Sequence, residues 1–181
     1  MVNEEFVLNR DCTATLIPAG DSVTLPKGTS VLVTQALGGT LTVRGPSGLF
    51  RINSQDFDAL GEEVAEAMAL QEEVVEGEFG EELIWKALRG CYDPEIPINI
   101  VDLGLIYNLT IEPRENDKYW VGVDMTLTAP GCGMGPAIAN DAKTRIEMLP
   151  QVESAEVEIV WDPVWNPQMI SEKGKIKLGL I

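Results

Sequence analysis

Residues 105–150 read LIYNLTIEPRENDKYWVGVDMTLTAPGCGMGPAIANDAKTRIEMLP, and two periodicities within them decide the fold. Leu105, Tyr107, Leu109 and Ile111 alternate with Ile106, Asn108, Thr110 and Glu112, the period of two that sends successive side chains to opposite faces of a strand. After the polar turn PRENDK, Val121, Val123, Met125 and Leu127 alternate with Gly122, Asp124, Thr126 and Thr128, so the two runs predict a hairpin. The period then changes. Pro136 suits a first helical turn, Ile138, Ala142, Ile146 and Leu149 share one side at helical spacing, and Pro150 stops the run. AEVEIVW, residues 155–161, predicts a third strand, and a connection through a helix implies a parallel neighbour with a right-handed crossover.

Upstream, Leu83, Ile84, Ala87 and Leu88 form the apolar side of another helix, Glu82 and Lys86 stand four apart on its exposed side, and Gly90 offers a stop. Cys91 continues the Ile84 and Leu88 stripe and reads as a core thiol rather than a ligand. Residues 81–181 therefore carry helix, two strands, helix and strand. Further upstream, residues 61–82 hold nine acids and no base, with only a thin helical stripe of Val64, Met68, Gln71 and Val75. Residues 61–80 are expected to be an acidic linker, partly helical, a solvated spacer in preference to a docking segment.

Before the linker, CTATLI, SVTL, SVLVTQAL, TLTVRG and LFRIN alternate with Gly and Pro turns. Residues 1–60 are thus expected to be a small β-rich, barrel-like module, with Ser54 capping a brief helix through Leu60. Cys12 opens the first of these strands and reads as a small packed residue. The fold class is α+β: an all-β module, an acidic linker, and a C-terminal domain with a mixed three-stranded sheet.

Composition excludes several functions. Over 181 residues the formal net charge is −16 and the pI about 4.2, which opposes attraction to nucleic acid or anionic membrane. No apolar run approaches the roughly 18 residues of a membrane span, and the acidic start lacks the basic and then apolar pattern of a signal peptide, so a cytoplasmic protein is expected. Histidine is absent, which removes Ser-His-Asp and Cys-His catalysis and every histidine metal site. Three cysteines leave an odd thiol and make no C-x-x-C pair.

Cys132 stands apart from the other two. It lies between a strand end and a helix start among Gly131, Gly133 and Gly135. Glycines let backbone N–H groups turn toward one point, and a helix N-terminus favours an anion, so a reactive thiolate is expected; the alternative is a tight turn with Cys132 packed beneath it. An acyl-transfer nucleophile would want a base, and only carboxylates, Tyr107 and Lys are on offer. Soft-metal binding asks less, yet a stable iron–sulfur cluster normally takes four ligands. Two copies of Cys132 across a two-fold axis, or a partner, would make a deficient site suited to transfer.

The segment CYDPEIPINIVDLGLI adds Asp93, Glu95 and Asp102. They could bind metal or take a proton, but an Asx turn at Asp93 and backbone capping by Asp102 are preferred on local pattern. In WDPVWNPQMISEKGKIKLGLI, Trp161 and Trp165 read as a core lid, and Asn166 with Pro167 can start a helix through Glu172. Lys173, Lys175 and Lys177 give the tail a mild positive face.

Three ordered motifs, DPEIPINIVDLGLIYNL, MTLTAPGCGMGP and WDPVWNPQMISEKGKIKLGL, closely resemble the MIP-eighteen-like or PaaD-like domain of iron–sulfur maturation factors. The resemblance covers residues 81–181, and the added N-terminal module is similar to the longer, SufT-type bacterial form that accompanies the SUF system. It implies an αββαβ domain, a role in maturation or cluster delivery, a functional cysteine at Cys132, and an acidic signature residue at Asp102, with Asp93 and Glu95 carried less firmly. Gly133 departs from the pattern, since many relatives have proline there. The expected function is a non-catalytic assembly factor working through Cys132 as a labile cluster or iron carrier, or as a targeting factor. Its expected partners are SUF assembly proteins, apo iron–sulfur clients and a second copy. A labile iron–sulfur cluster is the only cofactor in view, none being expected to bind tightly. The alternative is a metal-free adaptor, and a thiol enzyme ranks last because histidine is absent.

Overall fold

Short runs of Val, Thr and Leu between Gly and Pro turns build the first unit of the computed structural model, which describes residues 1–71 and 75–181 and divides into Met1–Val74 and Val75–Ile181. The five expected strands are present as β2 (Cys12–Ile17), β3 (Ser22–Leu25), β4 (Ser30–Leu37), β5 (Thr40–Gly45) and β6 (Gly48–Asn53). A strand not anticipated, β1 (Glu5–Val7), pairs with β4 through Phe6 opposite Val31. All pairings are antiparallel, in the order β1-β4-β5-β6-β2-β3. Leu41, Val43, Phe50 and Ile52 are at most 2% exposed, and each such side chain contributes about 1.5–3 kcal/mol by leaving water. Thr42 and Arg51, paired in register, are also buried, so the central strands are covered on both faces.

Ser54 does not cap the following helix. It is the first residue of a 3-10 helix, Ser54–Ala59, while the capping position belongs to Asn53, whose side chain makes no capping bond. Arg10 holds this turn: Nη1 donates to Asp56 Oδ1 at 2.9 Å and Nε to Asp58 Oδ2 at 2.8 Å. The hydrogen bonds from Arg10 keep the Asp58 carboxyl below the usual carboxylate range.

Part of the acidic run is also packed. Glu62–Gln71 forms α1, with acids in its first turn where the helix dipole favours them. Val64 and Met68, each 2% exposed, belong to the core cluster of the β unit, so this helix is not a solvated spacer. Residues 72–74 of the expected linker lie outside the described residues.

The second unit contains α2 (Glu81–Leu88), β7 (Ile106–Pro113), β8 (Tyr119–Met125), α3 (Gly135–Glu147), β9 (Val152–Ile159), a 3-10 turn (Pro167–Met169) and α4 (Glu172–Lys177). The sheet order is β7-β8-β9. β7 and β8 form the antiparallel hairpin, with Leu109 opposite Val123, and β9 runs parallel to β8, with Val157 beside Val123. Ile138, Ala142, Ile146 and Leu149 are buried, as are Leu83, Ile84, Ala87, Leu88 and Cys91.

Near the C-terminal end the sequence expectation fails in two places. Asn166 does start a turn, accepting from Gln168 N at 2.9 Å, but that turn ends at Met169. A separate helix, α4, begins after Ser171, whose Oγ accepts from Gly174 N at 3.0 Å. Trp161 is 46% exposed, so it is not a core lid. Among the described residues no helix is long and apolar enough to cross a membrane.

Candidate functional site around Cys132

The loop that carries Cys132 joins the end of β8 to the start of α3, beyond the carboxyl ends of the parallel pair β8 and β9. Helix and strands approach closely there because residue 135 is glycine. A Cβ on Gly135 would stand 2.6 Å from Leu127 Cδ1 and 3.2 Å from Ile159 Cδ1. Gly131 takes a φ of +77°, which glycine adopts without strain, while Gly133 is not among the positive-φ residues. Gly135 N donates to Cys132 O at 3.2 Å and turns the chain into the helix. Met134, 1% exposed, anchors the loop from below and occupies the helix-capping position without a side-chain cap.

Of the three thiols only Cys132 is partly exposed. Cys12 and Cys91 are 0% exposed. Burial, and after it the negative charge of Asp56, pushes the Cys12 thiol up to about 11. The Cys132 thiol makes no hydrogen bond to another described residue. Among the described residues no group of three or more Cys, Asp or Glu side chains could hold a metal ion. The arrangement offers one thiol to an incoming group rather than a closed ligand set.

Of the acidic residues of the first motif only Asp93 serves the backbone; Asp102 does not cap backbone groups as expected, because its carboxylate is taken by two side chains. Asp93 is 7% exposed and its Oδ1 accepts from Glu95 N at 2.8 Å, the Asx turn across Pro94. Glu95 points to solvent. Asp102 is a knot between segments far apart in sequence: its Oδ2 accepts from Asn99 Nδ2 at 2.7 Å and its Oδ1 from Ser171 Oγ at 2.9 Å. The main chain repeats the tie, Ser171 N donating to Asp102 O at 2.8 Å. Gly104 must be glycine twice over, with a φ of +75° and a virtual Cβ 2.3 Å from Met169 O.

Aromatic side chains complete the junction. Trp165 Nε1 donates to Leu103 O and Tyr107 OH to Pro163 O, each at 2.8 Å. Between the strap formed by residues 161–171 and the cysteine loop lies an apolar cleft of about 120 Å³, lined by Leu127, Thr128, Pro130, Trp161, Val164 and Trp165. Three separate sequence motifs thus meet at one end of the sheet. Sequence reasoning missed Asn99, Ser171 and Gly104 as the pieces that fasten them. Only Ser171 carried a local signal, a hydroxyl just before Glu172 at a helix start.

A family described as iron-sulfur cluster assembly protein matches residues 81–159. The chain is 40% identical over 101 residues to the Fe-S protein maturation auxiliary factor of Porphyromonas gingivalis, covering 56% of this chain and 92% of that protein. To the Fe-S protein maturation auxiliary factor SufT of Staphylococcus aureus it is 44% identical over 88 residues, covering 49% of this chain and 96% of that one. The chain belongs to the iron-sulfur cluster assembly protein family. A crystal structure of a domain of unknown function from Bacillus anthracis is 35% identical with a TM-score of 0.49, covering 56% of this chain and 92% of that one. The match to the family lies wholly in the second unit and contains Cys132, Asp93, Glu95, Asp102, Gly131 and Gly133. Ser171 and Trp165, which fasten the strap, fall after the matched residues.

Proposed function

We propose that this protein is a non-catalytic maturation factor that passes a labile iron–sulfur cluster, or iron, to apo-proteins through Cys132. The observation that carries this reading is the partly exposed thiol on a loop whose base is fixed by buried Met134 and by the close packing at Gly135, at the end of the sheet where the three motifs meet. Family membership supports it. A single thiolate suits soft metals but leaves most of an iron's coordination open, so the cargo is shared with a second copy of Cys132 or with a partner's ligands and is released readily. The cluster here is cargo. SUF assembly proteins would be the donors and apo iron–sulfur enzymes the recipients, in the cytoplasm.

Among the described residues no base hydrogen-bonds the thiol, and both oxygens of Asp102 are engaged by Asn99 and Ser171, which disfavours a thiol enzyme with Asp102 as base. A metal-free adaptor is the second reading, favoured by the lack of any three-ligand group among the described residues. Complementation separates the two. In cells lacking the native copy, Cys132→Ser should fail to restore the activity of client iron–sulfur enzymes while accumulating to the wild-type level; full restoration would leave the adaptor reading standing.

A further inference from the structure

The cleft between the strap and the cysteine loop is built before anything enters it. Trp165, on its wall, is held by the bond from Nε1 to Leu103 O, and Tyr107 OH holds the strap again at Pro163 O. Leu127, also on the wall, lies against the close approach that Gly135 permits. Walls fixed in this way lose little freedom when a ligand arrives.

Size selects the kind of ligand. Drug-sized molecules fill roughly 300–1,000 Å³, whereas a dry apolar cavity of about 150 Å³ takes one benzene. At about 120 Å³ the cleft fits a single leucine- or phenylalanine-sized side chain. Leu127, Pro130, Trp161, Val164 and Trp165 give it apolar walls, with Thr128 the one polar residue, so that side chain is apolar. Trp161 and Val164 are 46% and 72% exposed, and tryptophan beside a small pocket is a residue type that anchors protein interfaces.

Charge selects what flanks that side chain. Residues 119–142 and 151–172 contain every lining residue and hold seven acids but neither lysine nor arginine. Asp124 pairs in register with Glu158, each three residues before a lining position, Leu127 and Trp161, and exposed Asp162 lies on the strap between Trp161 and Val164. Lys175 reaches the strap at Gln168 O, past the last lining residue.

We propose that the cleft receives one leucine or phenylalanine side chain of an apo-client, from a surface segment in which lysine or arginine flanks it. The inference rests on the reading of the chain as a maturation factor. It adds where a recipient is held, since Pro130 belongs both to the cleft wall and to the loop that carries Cys132. A small, single-anchor contact suits a carrier that must let its recipient go.

The test is titration of the full chain, without iron or sulfide, with a blocked five-residue peptide carrying phenylalanine between two lysines. The four indole N–H signals of the protein in a proton–nitrogen correlation spectrum report binding. Those of Trp161 and Trp165 should move saturably while those of Trp85 and Trp120 stay. Alanine in place of the peptide's phenylalanine should weaken binding about tenfold or more, and glutamates in place of its lysines about threefold or more. Trp161→Ala in the protein should weaken it about tenfold, read from Trp165, with Trp85 and Trp120 signals at their wild-type positions showing that the variant keeps its fold. Signals that never move, or that move equally with the alanine or the glutamate peptide, would overturn the proposal. So would Trp161 and Trp165 signals that shift with protein concentration alone, which would give the cleft to a second copy. Because the peptide needs no metal, failure here is read apart from failure of Cys132 to carry a cluster.

Discussion

The two units hold their loops by different means. In Met1–Val74 the turns are short and the sheet itself does the fixing: neighbouring strands set the register, and the most elaborate side-chain tie is Arg10 on Asp56 and Asp58 at the surface. In Val75–Ile181 the sheet has only three strands, and its long connections are fastened to each other through Asp102, Gly104, Tyr107 and Trp165. The cysteines divide the same way. Cys12 sits in a strand as a small apolar residue, and Cys132 sits on a loop that is both pinned and open. Precise loops on a small scaffold suit the proposed transfer through Cys132, in which the thiol would have to be presented without being enclosed.

A pair of glycine substitutions would break this contrast most severely. Gly28 and Gly104 have similar positive φ values, +86° and +75°, but a Cβ on Gly28 meets nothing within 4 Å, while one on Gly104 collides with Met169 O. Gly28→Ala should cost only the backbone strain, about 1–2 kcal/mol. Gly104→Ala should cost about 3 kcal/mol or more, because the 99–104 and 169–174 segments must separate. Chemical denaturation measures both, and tryptophan emission isolates the second unit, since Trp85, Trp120, Trp161 and Trp165 are the only tryptophans in the sequence.

Asp102→Ala is the next largest. Asn99 Nδ2 and Ser171 Oγ would lose their acceptor, for about 1–3 kcal/mol by the same emission readout. A loss of client maturation without loss of protein would place Asp102 in the presentation of the cysteine loop.

The smallest effect concerns thiol reactivity. At pH 8 the native chain should take one equivalent of alkylating reagent, at Cys132, and three once unfolded. Cys12 should stay protected until the pH nears its raised value of about 11. The sign follows from the neutral form being the buried one. Its stabilising contribution is full below the ordinary thiol value of about 8.5 and is lost as pH rises toward 11. Rapid native labelling of Cys12 would erase the distinction between the units.

Periodicity made most of the fold legible. The alternations at 105–112 and 121–128, and the β runs from Cys12 to Asn53, need only local sequence to be recognised. β1 was invisible because three residues, EFV, carry no period, and its pairing with β4 depends on a partner 25 residues away. The packing of α1 was hidden for a different reason: two buried side chains among many acids make a weak stripe, and their worth depends on the sheet beneath. At the site, the Asx turn of Asp93 was readable because its bond is local. The tie from Asp102 to Ser171 spans 69 residues, and the clash that fixes Gly104 involves a backbone oxygen 65 positions on, so neither leaves a mark in local pattern. Trp161 was misplaced because an aromatic near the end of a strand reads as core, whereas here it is an exposed wall of the cleft it shares with Leu127, Pro130 and Trp165.

The most direct measurement is anaerobic reconstitution with iron and sulfide, followed by absorption and Mössbauer spectra of wild type beside Cys132→Ser. A labile cluster in wild type that disappears with the substitution is the expected result. Featureless spectra in both proteins, or a cluster that survives the loss of Cys132, would contradict transfer through this thiol.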